Sequence, residues 1–443
     1  MRDVGIIKVG GTSLMSQKDV KLVARIMSGE NRQYAVVSAP GDEDKKKRVT
    51  QQLIALAQYR GKEDEQRTAV NEIIDFLVAK YEQIYPGTGG TVGDRVRTQF
   101  QESTLPHNAY NAALKAVGEE LQAKLLANAL GFQFVDTRDL FVLTDDYENA
   151  QVLPETYDRI AALKFRDSKI VFPGFYGATI DGRIATFSLG GSNKSGSILA
   201  RGLDVSFFDN FSDNCIRAAH PDIVRDALVI AEMTYKELRD LSYSGFSIFH
   251  PEATAPLVET GITLHVRRTK DYPARGTLIV EDRMSDLAHP IVGIAYKPEF
   301  CALSVEKMGL NDIEGVLYEM LGVFRRVHIP IEFTATGIDD ISIIFEQRHV
   351  QGTLNTLRHD LYTAVGGNGA NVTFTENVGC LAVAGKGLHR SKRVSADIET
   401  IFADNSIDVI ADSKGVGKRC FMYAVDMQEG HHAVNALYDR FIR

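Results

Sequence analysis

Near its N-terminus the chain reads Gly5-Ile6-Ile7-Lys8-Val9-Gly10-Gly11-Thr12-Ser13, a short apolar run that ends in a lysine, two glycines and two hydroxyls. These residue types at this spacing suit an anion cradle. Lysine brings a full positive charge, and Gly10 and Gly11 let the backbone approach a ligand because no Cβ stands in the way. The pattern predicts strand, tight turn and then a helix over 18–27, whose N-terminal N–H groups and dipole favour a phosphate. The plain alternative is an ordinary strand-turn-helix with a surface lysine. A second corner of the same kind follows far downstream, Ala185-Thr186-Phe187-Ser188-Leu189-Gly190-Gly191-Ser192-Asn193-Lys194-Ser195. Two such corners would aim two helix N-termini at one anionic region. That arrangement suits phosphoryl transfer, in which a protein mainly positions groups and neutralises charge.

Two further clusters bear on the acceptor. Val36-Val37-Ser38-Ala39-Pro40-Gly41 is a strand ending in a hydroxyl and a turn, and Thr50 opens the next helix either as an N-cap or as a substrate contact. Ala116-Val117-Gly118-Glu119-Glu120 lies in a helix with an apolar stripe at Val117, Leu121 and Leu125. At 100° per residue Glu119 falls about 200° from Val117, so the periodicity predicts a solvated carboxylate facing away from that stripe. The absences narrow the chemistry. No GxxxxGK[ST] occurs, because Gly415-Val416-Gly417-Lys418 is followed by Arg419 and has Asp412 where the first glycine belongs. No HRD or DFG set and no Ser/His/Asp or Cys/His arrangement stands out, and His250, before Pro251, reads as a structural residue. A carboxylate acceptor would need no general base, since a free carboxyl group with a pKa of about 4 is already ionised at neutral pH. What remains is repulsion between two anions, which lysine, N–H groups and Mg²⁺ relieve.

The elements that must position these residues follow from composition and pattern. A length of 443 residues predicts two or three domains. The net charge of −8, with both signs interspersed, argues against a nucleic-acid surface, and the mixed run Asp42 to Arg48 reads as a solvated loop. No apolar run reaches the roughly 20 residues of a membrane span, and the N-terminus enters a strand without a signal-like apolar segment, which together point to the cytoplasm. Cys215, Cys301, Cys380 and Cys420 are far apart and form no CxxC pair, so buried thiols are expected and no protein metal site is predicted. Up to about residue 282, strand-like runs at 35–39, 132–136, 170–173, 205–208 and 262–266 alternate with helical stretches. They predict a mainly parallel sheet with helices on both faces, a three-layer α/β/α sandwich. Residues 51–130 read as largely helical, broken at Tyr85–Gly93. After about residue 286 a weak repeat of roughly 80 residues appears. Its first copy reads strand 302–306, helix 313–326, strands 330–335 and 340–346, and a helix at 350–362; Leu317, Met320, Leu321 and Phe324 make a core stripe. The second copy reads strand 379–384, helix 394–402, strands 407–411 and 419–425, and helix 431–441. Each is a split βαβ unit of ferredoxin-like type, and the tandem looks like paired ACT domains.

Lys8-Val9-Gly10-Gly11-Thr12-Ser13 resembles the K-[FV]-G-G-T-S signature of the aspartokinases, members of the amino-acid kinase family. The similarity extends through Val36 to Ala39, Gly118-Glu119, Pro173-Gly174-Phe175, the loop from Thr186 to Ser195, and the segment from Thr234 to His250-Pro251; Gly337-Ile338-Asp339-Asp340-Ile341-Ser342 resembles the family's ACT strand entry. The resemblance implies a carbamate-kinase-like catalytic domain over 1–284 and two βαββαβ ACT domains over 285–376 and 377–443, with strands open to exchange between them. It implies ATP and Mg²⁺ as cofactors and the conversion of L-aspartate to 4-phospho-L-aspartate. Lys8, Gly10, Gly11 and Asn193 would act on the transferred phosphate. Thr12, Ser38, Thr50, Glu119, Leu189, Gly190, Gly191 and Ser192 would contact the amino acid. Ser13, Phe211, Ser212, Asp213, Ile216, Arg217 and Ser247 would lie on the nucleotide side. The implied partners are a second copy of the chain, as a homodimer or a dimer of dimers, and an effector amino acid, lysine or threonine, at the ACT domains.

Three departures from the family pattern are also legible. Leu189 stands where the family has an arginine that grips a substrate carboxylate, and leucine supplies neither charge nor hydrogen bond. Asn193 replaces an aspartate, keeping hydrogen-bonding capacity and losing charge. The nucleotide segment T-D-V-D-G-[IV]-Y-x-A-[DN]-P reads Phe211-Ser212-Asp213-Asn214-Cys215-Ile216-Arg217-Ala218-Ala219-His220-Pro221. These changes leave open a related kinase acting on another carboxylate, or a weakly active regulatory homologue.

Overall fold

The computed structural model describes residues 4–443 apart from Glu30, Glu63, Ser103, 164–167, Leu189, Ser247, Ile248, His250, Val416 and Lys418. The chain divides into two compact units, residues 1–216 with 248–282 and residues 217–247 with 283–443.

In the first unit, seven strands lie in the order Gln133–Phe134, Ile170–Pro173, Arg32–Val37, Gly5–Val9, Phe207–Ser212, Thr263–Arg268, Thr277–Val280. All neighbours are parallel except the last pair. A parallel sheet is buried on both faces, which is why the central strand is apolar almost throughout and fully buried. Side chains alternate across it. Ile7, Val9, Ala35, Val37 and Phe211 join one core with the helices Gln17–Ser28, Val49–Ala57, Arg67–Ile84, Gly89–Phe100 and His107–Leu130. On the opposite face Phe208 packs against Gly196 of the helix Gly191–Leu203, so closely that a Cβ on Gly196 would lie 2.6 Å from the ring. The three-layer sandwich expected from the alternation of strands and helices is therefore present.

In the second unit six antiparallel strands form one sheet, in the order Phe333–Thr336, Asp340–Glu346, Gly293–Glu306, Asn371–Ala384, Cys420–Asp426, Val409–Ser413. The helix Val316–Arg326 carries the predicted stripe, with Met320 and Phe324 fully buried beside Leu303, Val305 and Leu357. The two central strands are longer than the sequence pattern suggests. Each runs 14 residues, and they pair with each other from Gly293↔Ala384 to Glu306↔Asn371. Expected strands at 302–306 and 379–384 are thus only halves of real ones. The reason is local. Tyr-Lys-Pro-Glu interrupts the first strand's pattern, and Glu299 and Asn377 adopt left-handed backbone (φ 68° and 58°) on the two central strands. The register shifts around Lys297 and Phe300 mark bulges that the chain passes through without ending the strand.

No helix among the described residues is long and apolar enough to cross a membrane.

Candidate active site

The parallel register brings the loops after Val9, Val37, Pro173 and Ser212 to one edge, and the second glycine corner, which follows a strand of a separate three-stranded sheet, joins them through the packing of Ser192 on Gly174. Val9 lies opposite Val37 and Phe211, and Val37 opposite Pro173, so the loops that follow these strands leave the sheet side by side. At the C-terminal ends of parallel strands such loops form the usual ligand crevice. Gly10 donates its N–H to the Phe211 carbonyl at 2.9 Å, and Gly174 donates to Val37 at 2.9 Å. Gly11 and Gly41 lie in close contact between the first two loops. A Cβ on Gly11 would fall 2.2 Å from the Ala39 carbonyl, and one on Gly41 2.5 Å from the Thr12 nitrogen. Backbone, rather than a movable side chain, occupies that space. Gly11→Ala is accordingly expected to cost about 1–3 kcal/mol of stability by overpacking and about 10²-fold in turnover by displacing the cradle. Urea unfolding and steady-state kinetics check both, and an unchanged urea midpoint would show that the loops can part.

The helix predicted directly after the first corner begins later. Gly11–Ser13 forms a single 3₁₀ turn, and the helix starts at Gln17 under its own Ser16 cap. Because the amides of Gly10, Ser13 and Leu14 already bond within the protein, Lys8 carries most of the corner's positive character. Lys8 is 9% exposed. It shares a sheet face with Asn210, and its ammonium nitrogen lies 3.6 Å from where a Cβ on Gly10 would be, so the side chain runs up the strand to the crevice. Burial pulls its pKa down to about 8, against the opposing pull of the Asp213 and Glu119 carboxylates.

Glu119 corrects the periodicity argument. It is 4% exposed, because the helix His107–Leu130 is surrounded: 16 of its 24 residues are buried, many of them Ala and Gly that admit neighbours on every side. A Cβ on Gly118 would lie 2.9 Å from Ala39. The next residue, Glu120, is also buried, against Arg95 and Lys124. Burial pushes the Glu119 carboxyl up to about 8, although the Ala39 amide bonds to it and Lys8 lies nearby. Its second oxygen, Oε2, is buried with no hydrogen-bond partner. Tyr81 Oη donates to the Gly118 carbonyl at 2.6 Å and steadies this turn of the helix, a role nothing in the sequence pattern announces.

At the second corner Gly190 takes a left-handed backbone (φ 82°) that favours glycine, and Gly191 has no room for a side chain between Phe175 and Phe187. Ser192 packs on Gly174, where a Cβ would come within 2.7 Å of it. Ser195 Oγ accepts from the Phe175 amide and donates to the Gly191 carbonyl, tying the helix start to the Pro173–Phe175 turn. Asn193 is half-buried, with Oδ1 buried and unpartnered. Lys194 donates to Gln151 at 3.1 Å. Thr12, Ser38 and Thr50 are half-buried; Thr50 is the second residue of its helix, after Arg48 at the N-cap position, so the N-cap reading does not hold. Leu189 and Ser247 lie outside the described residues, as does His250.

Of the expected nucleotide-side residues, Ser212 ends the strand beside Lys8 and Asp213 follows it, with Ser212 Oγ bonded to Asp213 at 3.0 Å. Phe211 and Ile216 are wholly buried, and Phe211 packs edge-on to Tyr272, so both serve the core. Arg217 belongs to the second unit, where its guanidinium donates to the Ala227 carbonyl. Ser13 is buried on Thr269 rather than open to the crevice.

A model of the amino acid kinase family matches residues 3–268. The chain is 32% identical over 456 aligned residues to aspartokinase 3 of Bacillus subtilis, covering 98% of each. It is 22% identical to the lysine-sensitive aspartokinase 3 of Escherichia coli, covering 95% of this chain and 96% of that one. In fold it is similar to the crystal structure of Clostridium acetobutylicum aspartate kinase, with a TM-score of 0.83 and 24% identity over 99% of this chain and 100% of that one. It also matches E. coli aspartokinase III solved with aspartate and ADP, with a TM-score of 0.75 and 20% identity over 99% and 100%. A match that runs nearly end to end, through both the glycine corners and the antiparallel sheet, places the chain in the amino acid kinase family and, within it, among the aspartokinases.

Proposed function

We infer that this protein transfers the γ-phosphoryl group of ATP to the side-chain carboxylate of L-aspartate, giving 4-phospho-L-aspartate and ADP. The observation that carries the chemistry is the buried Lys8 ammonium beside loops in which Gly11 and Gly41 have room for no side chain, with the half-satisfied Glu119 carboxyl group nearby. Lys8 would neutralise the transferred phosphoryl group while Gly10 and Gly11 admit it to the backbone, and the start of the helix Gly191–Leu203 would add its dipole from the other corner. Glu119 would take the substrate's ammonium group on the free Oε2, with Thr12, Ser38, Thr50 and Ser192 around it. The acceptor carboxylate is already ionised, so the residues need only hold and screen it.

ATP would bring Mg²⁺, which neutralises charge on the phosphates. No group of three or more His, Cys, Asp or Glu among the described residues forms a cage for a metal, and the unpartnered Asn193 Oδ1 is a hard oxygen donor that fits this ion. The second unit would bind an effector amino acid, lysine or threonine, and pair two chains into a homodimer working in the cytoplasm. The lysine-sensitive E. coli relative supports the effector. Light scattering tests the pairing, and a monomer at micromolar concentration would remove it.

Activity is tested by ADP release with Mg²⁺-ATP and trapping of the acyl phosphate as its hydroxamate, across aspartate, glutamate and simple dicarboxylates. Aspartate is expected to turn over. Turnover of another acid and not of aspartate, or none by folded protein, would overturn the assignment.

A further inference from the structure

Thr269 joins three loops that the sequence leaves far apart. It follows the strand Thr263–Arg268, whose last residue pairs with Ser212. Its Oγ1 donates to the Ser212 carbonyl at 3.0 Å and lies 2.6 Å from Ser13 Oγ. A hydroxyl has one hydrogen, and the carbonyl takes it. Thr269 must therefore accept from Ser13, and the two bonds form a directed chain, Ser13 to Thr269 to Ser212. Thr269 and Ser13 are 2% and 5% exposed, so bulk water cannot readily replace either partner. Next to it, Arg268 Nε donates to the Asp213 carbonyl at 3.0 Å. The Asp213 carboxylate in turn acts on the Lys8 ammonium.

We propose that Thr269 is a positioning residue for phosphoryl transfer: its hydroxyl fixes the Lys8–Ser13 loop against the Ser212–Asp213 loop and so sets the geometry of the phosphate cradle. The side-chain bonds of Thr269 join these two loops, whereas Glu119 is held by the Ala39 amide and the second corner by Ser195. Its loss should disturb the handling of ATP and spare the amino-acid side. The inference rests on the reading of this edge as the phosphoryl-transfer site.

The test compares Thr269→Val, which keeps the shape and removes the hydroxyl, with Thr269→Ser, which keeps the hydroxyl. Valine should lower kcat/KM for Mg²⁺-ATP by 10- to 100-fold and leave KM for aspartate within twofold. Serine should return kcat/KM to within threefold of the wild type. Ser13→Ala breaks the same chain from its other end and should act in the same direction, which keeps the test open if the valine variant does not fold. Wild-type kcat/KM for ATP in Thr269→Val, equal losses in the valine and serine variants, or a matching rise in KM for aspartate would overturn the proposal. If the wild type does not phosphorylate aspartate, the functional reading fails by itself. Mg²⁺-ADP affinity of the full chain then decides the positioning role, and equal affinities for wild type and Thr269→Val would end it.

Discussion

Lys8→Met is expected to lower kcat for hydroxamate formation by about 10³-fold or more, the scale seen when a preorganised group that stabilises transition-state charge is removed. Methionine keeps the length and flexibility of the side chain and sheds the charge. Because Lys8 is buried and its ammonium is disfavoured there, the substitution should not lower Tm. The sign follows from linkage. A lysine whose folded pKa is about 8 instead of 10.5 penalises the native state below about pH 8, and the penalty fades as pH rises from 8 to 10.5. Thermal melts at pH 7 and a single-turnover assay check the pair of outcomes. Activity within tenfold of the wild type would show that the charge at Lys8 does not face the phosphoryl group.

Glu119→Gln should separate stability from function in the opposite corner of the crevice. Burial raises this carboxyl to about 8 from 4.5, so between those pH values the native state holds a proton that the unfolded chain releases. The stability this contributes is complete below about pH 4.5 and is lost as pH rises through 8. Glutamine removes the dependence. The variant should melt at nearly the wild-type temperature at pH 5 and a few degrees higher at pH 8.5. Its KM for aspartate should rise about 10- to 100-fold, the worth of a hydrogen bond to a charged group. In the wild type, binding the substrate's ammonium group should drive the proton off Glu119. Calorimetry near pH 7 in buffers of different ionisation enthalpy should then show proton release. A binding heat independent of buffer would mean that Glu119 does not receive that group.

The glycine corners are legible in the sequence because their requirements are local. A strand, a lysine and a glycine pair state their own geometry, and the same is true of Gly190 and Gly191. Glu119 was not legible, because a helical wheel presumes one buried face. The helix His107–Leu130 is wrapped on nearly all sides, and its alanines give no contrast from which a direction could be read. Thr269 and Ser13 are 256 positions apart, and no pattern joins two hydroxyls across that distance. Tyr81 reaches Gly118 from another helix in the same way. The fold came through more fully than the site, since strand alternation survives even where boundaries slip. That alternation missed the edge strand Thr277–Val280 and one half of each long central strand, where bulges and left-handed residues at Lys297–Glu299 and Asn377 interrupt the pattern.

Those two long strands have a consequence for how the second unit can respond to anything that binds it. Each strand lends one half to either repeat, with pairing unbroken in direction from Gly293↔Ala384 to Glu306↔Asn371. Neither repeat owns a complete sheet. A severed chain would expose raw edges on both sides of the cut, so neither repeat is an autonomous foldon, and local opening in one must loosen hydrogen bonds that belong to the other. The duplicated half of the molecule therefore behaves as a single spring rather than two independent sensors, and a disturbance at one end is felt at the other through shared backbone.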